Sequence, residues 1–125
     1  MNTPASSDDK KSGLLEKAIG HFNQLKNKNM ERLYVEEWGA FIYCRPCLKV
    51  SEQAELLKYA DSQKYDELLF HTMRLKACDE LGHPIFKVAD MFDVLNNVDQ
   101  EVVTRVVNWL NNPSRGISRE DLEKN

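Results

Sequence analysis

The residues with the clearest chemical potential are two cysteines with two residues between them, Cys44 and Cys47. Such a pair can act as a dithiol redox centre when one thiol has a depressed pKa, and the N-terminus of a helix is the usual cause of that depression. Here the next candidate helix cap is Ser51, four residues after Cys47, which places the helix dipole badly for this purpose. We therefore favour incidental thiols at the end of a hairpin over a redox centre.

Zinc binding is the second use that these cysteines could have. Cys44 and Cys47 would need two more ligands, and Cys78 with His83 follow in the sequence. Structural zinc sites more often contain a second closely spaced pair, and Cys78 falls within a predicted helix. We therefore predict no metal and no cofactor.

Motifs for catalysis are absent from the sequence. It has no glycine-rich phosphate loop, no G-x-S-x-G and no H-E-x-x-H, the patterns that would place a phosphate cradle, a nucleophile or a zinc-binding helix. We expect no catalytic residues and predict that the protein is not an enzyme.

Length and charge narrow the class of protein further. The chain has 125 residues, enough for one domain with a hydrophobic core. Its 17 basic and 20 acidic residues give a net charge of −3, which weakens the case for nucleic-acid binding. No apolar stretch reaches the length of a membrane span, so we expect no membrane contact. Three cysteines fit a reducing compartment.

The chain is organised around Leu33 to Leu48, the only stretch that is clearly β in pattern. Leu33 and Val35 alternate with Tyr34 and Glu36, and after Gly39 the aromatic residues Phe41 and Tyr43 alternate with Ile42 and Cys44. Gly39 can supply the positive φ of a tight reversal. Pro46 removes a backbone donor and ends the second strand. We predict one hairpin near residues 32–46.

Apolar residues recur at helical spacing both before and after this hairpin in the sequence. They predict helices over residues 13–26, 51–60 and 65–78, and the first two of these have caps at Ser12 and Ser51. A fourth helix is predicted from Val88, and a fifth is predicted after a cap at Asp99. The predicted inner faces are Leu14, Leu15, Ala18, Ile19, Phe22 and Leu25 in the first helix, Ala54 and Leu57 in the second, Val88, Met91, Phe92 and Leu95 in the fourth, and Val102, Val103, Val106, Val107 and Leu110 in the fifth. Phe70 and Leu75 widen the apolar surface of the third helix, so we expect that helix to lie centrally. We also expect Ile85 and Phe86 to enter the core.

The predicted fold class is therefore mainly α (α+β): about five helices packed around one small β-hairpin. We expect a single domain over residues 12–112. A disordered tail over residues 1–11 and a flexible tail over 113–125 flank it, because both are polar.

Several short motifs occur together in this chain: Glu37-Trp38-Gly39, then Tyr43-x-Arg45-Pro46, then Asp79-Glu80-x-Gly82-x-Pro84-x-Phe86 before a helix led by Asp90. In order and spacing they resemble the tail assembly chaperones of long flexible-tailed, lambdoid bacteriophages of the siphovirus type, prophage copies included. The resemblance covers roughly residues 30 to 111.

The resemblance implies a non-enzymatic role in the host cell cytoplasm. Such proteins bind the tape measure protein, keep it soluble during tail assembly and are absent from the mature virion. They tend to self-associate, and a frameshift-extended form is thought to recruit the tail tube protein. Here Glu123-Lys124-Asn125 can be encoded by a run of adenines on which ribosomes slip.

We expect the partner to contact the exposed face of the hairpin and the last helix. The predicted interface residues are Trp38, Phe41, Tyr43, Arg45 and Trp109. A small helical DNA-associated regulator is the alternative function, and the acidic balance and the lack of a basic recognition helix count against it. A C-x-x-C thiol or zinc protein is the third.

Overall fold

The computed structural model describes the backbone of residues 2–113 and the side chains of residues 13–113. Over this range it confirms the predicted class, mainly α with a small antiparallel sheet. The elements are α1 (Asn2–Lys26), β1 (Arg32–Val35), β2 (Ala40–Cys44), α2 (Val50–Asp61), α3 (Tyr65–Lys76), β3 (Ala77–Cys78), α4 (Met91–Asn97) and α5 (Gln100–Asn111). Short 3-10 turns lie at Glu36–Trp38 and Val88–Asp90.

The sheet has three strands in the order β1-β2-β3. The predicted hairpin is present, with Leu33 opposite Ile42 and Val35 opposite Ala40. The third strand was not predicted: α3 ends at Lys76, and Cys78 lies opposite Tyr43 in β3 instead of in a helix. Two residues carry too little pattern to distinguish a strand from the last turn of a helix.

Gly39 closes the hairpin as the sequence predicted. Its φ is 61° and its ψ is 34°, in the left-handed region, which costs other residues free energy because of their Cβ atom. Its N–H donates to the carbonyl of Glu36 at 3.1 Å. The 3-10 turn at Glu36–Trp38 thus ends at a residue suited to reverse the chain.

The core lies between the sheet and helices α3 and α5. Phe70 and Met73 of α3 are fully buried, and α3 packs against α2, α4, α5 and β3, which confirms its predicted central position. The predicted inner face of α5 is buried at every position. Asp99 caps this helix, since its Oδ2 accepts the N–H of Val102 at 3.1 Å.

In α2 the predicted inner face was wrong. Leu56 is buried, whereas Leu57 is 53% exposed and Ala54 is also exposed. The cap predicted at Ser51 was two residues late, because Lys49 is the N-cap residue, the helix begins at Val50, and Glu52 accepts the N–H of Lys49 at 2.8 Å. Adjacent leucines fit helical spacing equally well, so only the packing of neighbours selects one.

In α4 the same ambiguity produced a larger error. Val94 faces the core and Met91 packs against it, while Val88 is 61% and Phe92 71% exposed. Met91, Val94 and Val98 form a second stripe at helical spacing, and that stripe is the one that packs on the core. Ile85 is 38% exposed, so of the two residues expected in the core only Phe86 packs there.

Residues 2–11, which were predicted to form a disordered tail, lie within α1. α1 begins at Asn2, before the cap predicted at Ser12, and the side chains of residues 2–12 lie outside the described set. The predicted tail over 113–125, apart from Pro113, lies outside it as well. Among the described helices, none is long and apolar enough to cross a membrane.

Replacement of Gly39 by alanine should lower the free energy of unfolding by about 1 kcal/mol. An added Cβ would meet no atom within 4 Å, so the loss comes from backbone strain alone. Urea denaturation measures it. The control is Gly39→Asn, which tolerates this conformation better and should lose less; equal losses would contradict the strain argument.

Candidate functional site

The outer surface of the hairpin carries a cluster of aromatic side chains that the core does not use. Val35, Ile42 and Cys44 point inward and are buried. Alternation along the strands therefore turns Arg32, Tyr34, Phe41 and Tyr43 to the opposite surface, which we call the aromatic face.

The aromatic face is ordered by contacts among its own members. Tyr34 and Phe41 are paired across the strands, with ring centroids 5.0 Å apart and planes at 62°, the edge-on arrangement that aromatic pairs prefer. The guanidinium carbon of Arg32 lies 4.3 Å from the centroid of the Phe41 ring. Tyr34 is 51% and Phe41 44% exposed, so a rigid apolar surface with one cation is open to solvent.

One edge of this surface is also free for pairing. β1 is the outer strand of the sheet as described, with only β2 beside it. An outer strand presents backbone N–H and C=O groups that an extended segment can use. The site can therefore bind apolar side chains on its face, and it offers backbone hydrogen bonds along its edge.

The predicted interface residues lie in four different places. Phe41 and Tyr43 lie on the aromatic face. Trp38 is half-buried beside Phe86, with ring centroids 6.4 Å apart. Trp109 is 7% exposed within the core, and its Nε1 has no hydrogen-bond partner among the described atoms, so it offers a partner no surface in this conformation.

Arg45, another of the predicted interface residues, joins three elements of the fold. Its Nη1 donates to the carbonyl of Leu75 at 2.8 Å, and its two Nη atoms each reach a carboxylate oxygen of Glu52 at 3.1 Å. Its backbone N–H donates to the carbonyl of Lys76 at 2.9 Å. The end of β2 is thus fixed to the C-terminus of α3 and the first turn of α2.

Glu52 gains from this arrangement in its charged form. Partial burial acts to raise the pKa of Glu52, but the hydrogen bonds from Arg45 and from the Lys49 N–H outweigh it, and the pKa lies below its usual value. The folded state therefore favours the charged carboxylate of Glu52, and ionisation of Glu52 in turn stabilises the folded state.

A second polar cluster ties α2 to α3 and was not anticipated from the sequence. His71 stacks on Tyr59, with centroids 4.4 Å apart, and its Nδ1 accepts a hydrogen bond from Arg74 Nε at 2.9 Å. Arg74 also pairs with Glu55. Burial, followed by the Arg74 charge, lowers the pKa of His71, so its role is that of a neutral acceptor inside a structural network.

Burial disfavours the thiolate forms of Cys44 and Cys78, because it raises the pKa of both thiols. Cys44 is buried, and burial raises its pKa to about 11, the reverse of an activated thiol. Cys78 is fully buried, and its Sγ lies 3.5 Å from the carbonyl of Tyr43. Cys47 is half-buried, with Sγ 4.0 Å from the carbonyl of Phe22. Within residues 13–113, no three His, Cys, Asp or Glu side chains are grouped to hold a metal.

The turn after β3 is built by Asp79. Its Oδ1 accepts the N–H groups of Leu81 at 2.9 Å and His83 at 2.8 Å, and Gly82 takes a φ of 88°. Hydrogen bonds from the backbone of His83 and its neighbours lower the pKa of Asp79. The Asp79 turn stabilises the fold, as Gly39 and Arg45 do. The motifs on which the resemblance rests therefore have structural roles in this chain.

Two members of the aromatic face, Arg32 and Tyr34, were missed at the sequence level. The alternation along β1 could have identified them: Leu33 and Val35 alternate with Arg32 and Tyr34, so burying the first pair exposes the second.

No protein-family model, no curated protein and no solved structure matches this chain. The function is therefore inferred from the site and from the resemblance alone.

The paired carboxylate of Glu52 should make stability depend on pH. Because its pKa is lower in the folded state, its contribution is present above the ordinary value of about 4.3 and is lost as the pH falls through the folded pKa. Glu52→Gln should cost about 1 kcal/mol at pH 7, and this difference from the unmodified protein should shrink below about pH 4.

Urea denaturation at a series of pH values measures this difference. Glu80→Gln is the control, because Glu80 is exposed and belongs to none of the ion pairs among the described residues. A difference between the protein and Glu52→Gln that stays constant from pH 7 to pH 3 would contradict the assignment.

Thiol labelling of the native protein at pH 8 should detect one fast cysteine, Cys47. Cys44 and Cys78 are buried, and a pKa of about 11 leaves Cys44 almost entirely protonated. Cys47→Ser should abolish the fast phase, and labelling in urea should restore reaction at the other two. A fast phase that persists in Cys47→Ser would show that a buried thiol is activated.

Proposed function

We propose that this protein is a phage tail assembly chaperone that binds the tape measure protein and keeps it soluble during tail assembly, without entering the mature virion. The observation that carries the proposal is the aromatic face, an exposed apolar surface fixed on a rigid hairpin. The chain resembles this family over roughly residues 30 to 111.

The aromatic face suits the kind of surface that an unassembled tape measure protein exposes. A long amphipathic helix presents apolar side chains every third or fourth residue, and these aggregate unless another surface covers them. Aromatic side chains with few rotatable bonds are effective anchors for such contacts, because ordering them costs little conformational entropy. Tyr34 and Phe41 already contact each other in the free protein, so little ordering remains to be done on binding.

Many copies along one filament would add avidity to weak individual contacts. The acidic balance of the chain, with a net charge of −3, suits a protein partner better than a nucleic acid. The proposal includes the host cell cytoplasm as the location, self-association of the chaperone, and an extended form that recruits the tail tube protein. No catalytic step belongs to it.

The test is co-expression with the tape measure protein of the same phage or prophage genome. The chaperone should raise the soluble fraction of that protein and purify with it. Phe41→Glu should weaken the complex by about tenfold to thirtyfold, because a central aromatic anchor is replaced by a solvated charge. Pull-down and titration of the purified proteins measure the loss.

Val50→Glu is the matched control, since Val50 is an apolar residue that is 89% exposed in the first turn of α2 and is not part of the aromatic face. It should solubilise the tape measure protein as well as the unmodified chain does. Equal solubilisation by a folded Phe41→Glu variant would remove the aromatic face from the proposal. Salt-dependent binding to random duplex DNA, without any effect on the tape measure protein, would favour the DNA-associated alternative.

A further inference from the structure

The register of the hairpin fixes which backbone groups of β1 point toward β2. The N–H of Cys44 donates to the carbonyl of Glu31 at 2.9 Å, and this pair continues the register in which Leu33 lies opposite Ile42. Directly opposite residues of an antiparallel ladder alternate between pairs that exchange hydrogen bonds and pairs that do not. Because Glu31 belongs to a bonded pair, Leu33 and Val35 also direct their N–H and C=O groups to β2.

The two residues that alternate with these, Arg32 and Tyr34, direct their N–H and C=O groups away from the sheet. Outside the ladder, no backbone hydrogen bond among the described residues uses either of them. β1 contains no proline, which would have removed a donor from this edge. The edge of β1 thus offers two donors and two acceptors at the two-residue repeat of a strand, about 6.8 Å.

The side chains of the same two residues lie on the aromatic face, directly beside this edge. Tyr34 contacts Phe41, and Arg32 lies over the Phe41 ring. Arg32 belongs to none of the ion pairs among the described residues. A segment paired with the edge would therefore meet an aromatic side chain and a cation that lacks a carboxylate partner within the described part of the chain.

Acidic residues near β1 do not cancel this cation on the aromatic face. Glu31 precedes Arg32, but alternation turns its side chain to the other surface of the sheet, where it lines a cleft together with Cys44. Glu36 and Glu37 follow the opposite end of β1, in the 3-10 turn. An acidic side chain is therefore favoured beside Arg32 and disfavoured next to the turn.

An extended segment matches the edge of β1, whereas a helix does not. Inside a helix the backbone N–H and C=O groups bond one another, so a helix cannot satisfy the four outward groups of Arg32 and Tyr34. An added strand can do so, and it places alternate side chains on the aromatic face. The described sheet is antiparallel throughout, and antiparallel pairing is the more stable kind per residue.

We propose that β1 accepts an extended segment of a partner chain as a fourth, antiparallel strand of the sheet. The segment runs opposite to β1, so it meets Tyr34 before Arg32. It carries an apolar residue opposite Tyr34 and, two residues later, an acidic residue opposite Arg32. The identity of the partner rests on the proposed function: the segment would be an extended stretch of the tape measure protein that adjoins its helices.

The probe is a capped peptide, Thr-Thr-Phe-Thr-Glu-Thr-Thr, added to the isotope-labelled protein and followed by NMR. In the free protein, the N–H groups of Arg32 and Tyr34 should exchange with solvent faster than that of Leu33, which lies in the ladder. At a peptide concentration of about ten times its Kd, exchange at Arg32 and Tyr34 should slow about tenfold, because only the unbound fraction exchanges.

Backbone methylation of the peptide separates strand addition from simple contact with the aromatic face. In the antiparallel arrangement the N–H groups of its phenylalanine and glutamate point to β1, and that of the threonine between them points away. N-methylation of the phenylalanine should weaken binding about tenfold. The same change at the middle threonine is the matched control and should have little effect. Equal losses from both, or a larger loss from the threonine, would overturn the proposal.

Charge exchange tests the acidic position. Lysine in place of the peptide glutamate should weaken binding about fivefold, and Arg32→Glu should reverse this preference. Lys28→Glu makes the same change in net charge at an exposed residue before β1, and it should leave the preference unchanged. Circular dichroism verifies that both variants are folded, and the peptide exchange on the unmodified protein needs no variant.

Other occupants of this edge give different results. Equal binding of an alanine-rich helical peptide, with phenylalanine and glutamate four residues apart, would overturn strand addition and assign the aromatic face to a helix. Unchanged exchange at Arg32 and Tyr34 in millimolar peptide would overturn it as well.

Strand addition and the proposed function can fail separately, because no peptide experiment contains the tape measure protein. Peptide binding without solubilisation of the tape measure protein would leave the strand addition standing and remove the proposed function. Solubilisation that depends on Phe41, without any peptide binding to β1, would do the reverse.

Discussion

The contacts of Arg45 are the constraint on which the rest of the structure depends. One guanidinium binds the carbonyl of Leu75 at the end of α3 and both carboxylate oxygens of Glu52 at the start of α2. Carbonyls at the end of a helix lack intrahelical partners, and a forked cation satisfies one of them while pairing with the carboxylate. The same residue continues β2 into its hydrogen bond with Lys76. Sheet and helices therefore share one fixed point, and the hairpin is held in one orientation.

That fixed orientation decides which surfaces of the protein are left open. The hairpin buries Val35, Ile42 and Cys44 and exposes Tyr34 and Phe41 on its outer side. In α4, Val94 is buried and Phe92 is left exposed. The aromatic face on the hairpin is the surface that we propose for the tape measure protein, and many copies along one filament would add avidity to its weak contacts.

The same burial that builds the core disfavours the thiolate form of Cys44. A thiolate needs solvent, a cation or a helix N-terminus, and Cys44 has its pKa raised by burial despite the nearby charges of Lys76 and Arg45. The charge of Arg45 is directed mainly to Glu52 and Leu75. Cys44 and Cys78 are both buried, and their Sγ atoms lie 3.6 Å from the carbonyl oxygen of Leu110 and 3.5 Å from that of Tyr43, respectively.

The sequence by itself determined the class of the fold, the hairpin with Gly39 at its turn, the central position of α3 and the inner face of α5. Those features follow from local rules: alternation, a positive φ, and an apolar stripe with no competing stripe beside it. Tertiary packing decided whether Leu56 or Leu57, and whether Val94 or Phe92, would be buried, because both members of each pair fit helical spacing. It also decided that Trp109 is core, that Arg45 is a structural hub, and that Ala77–Cys78 forms a strand. Such outcomes depend on partners distant in the sequence, and no local pattern specifies them.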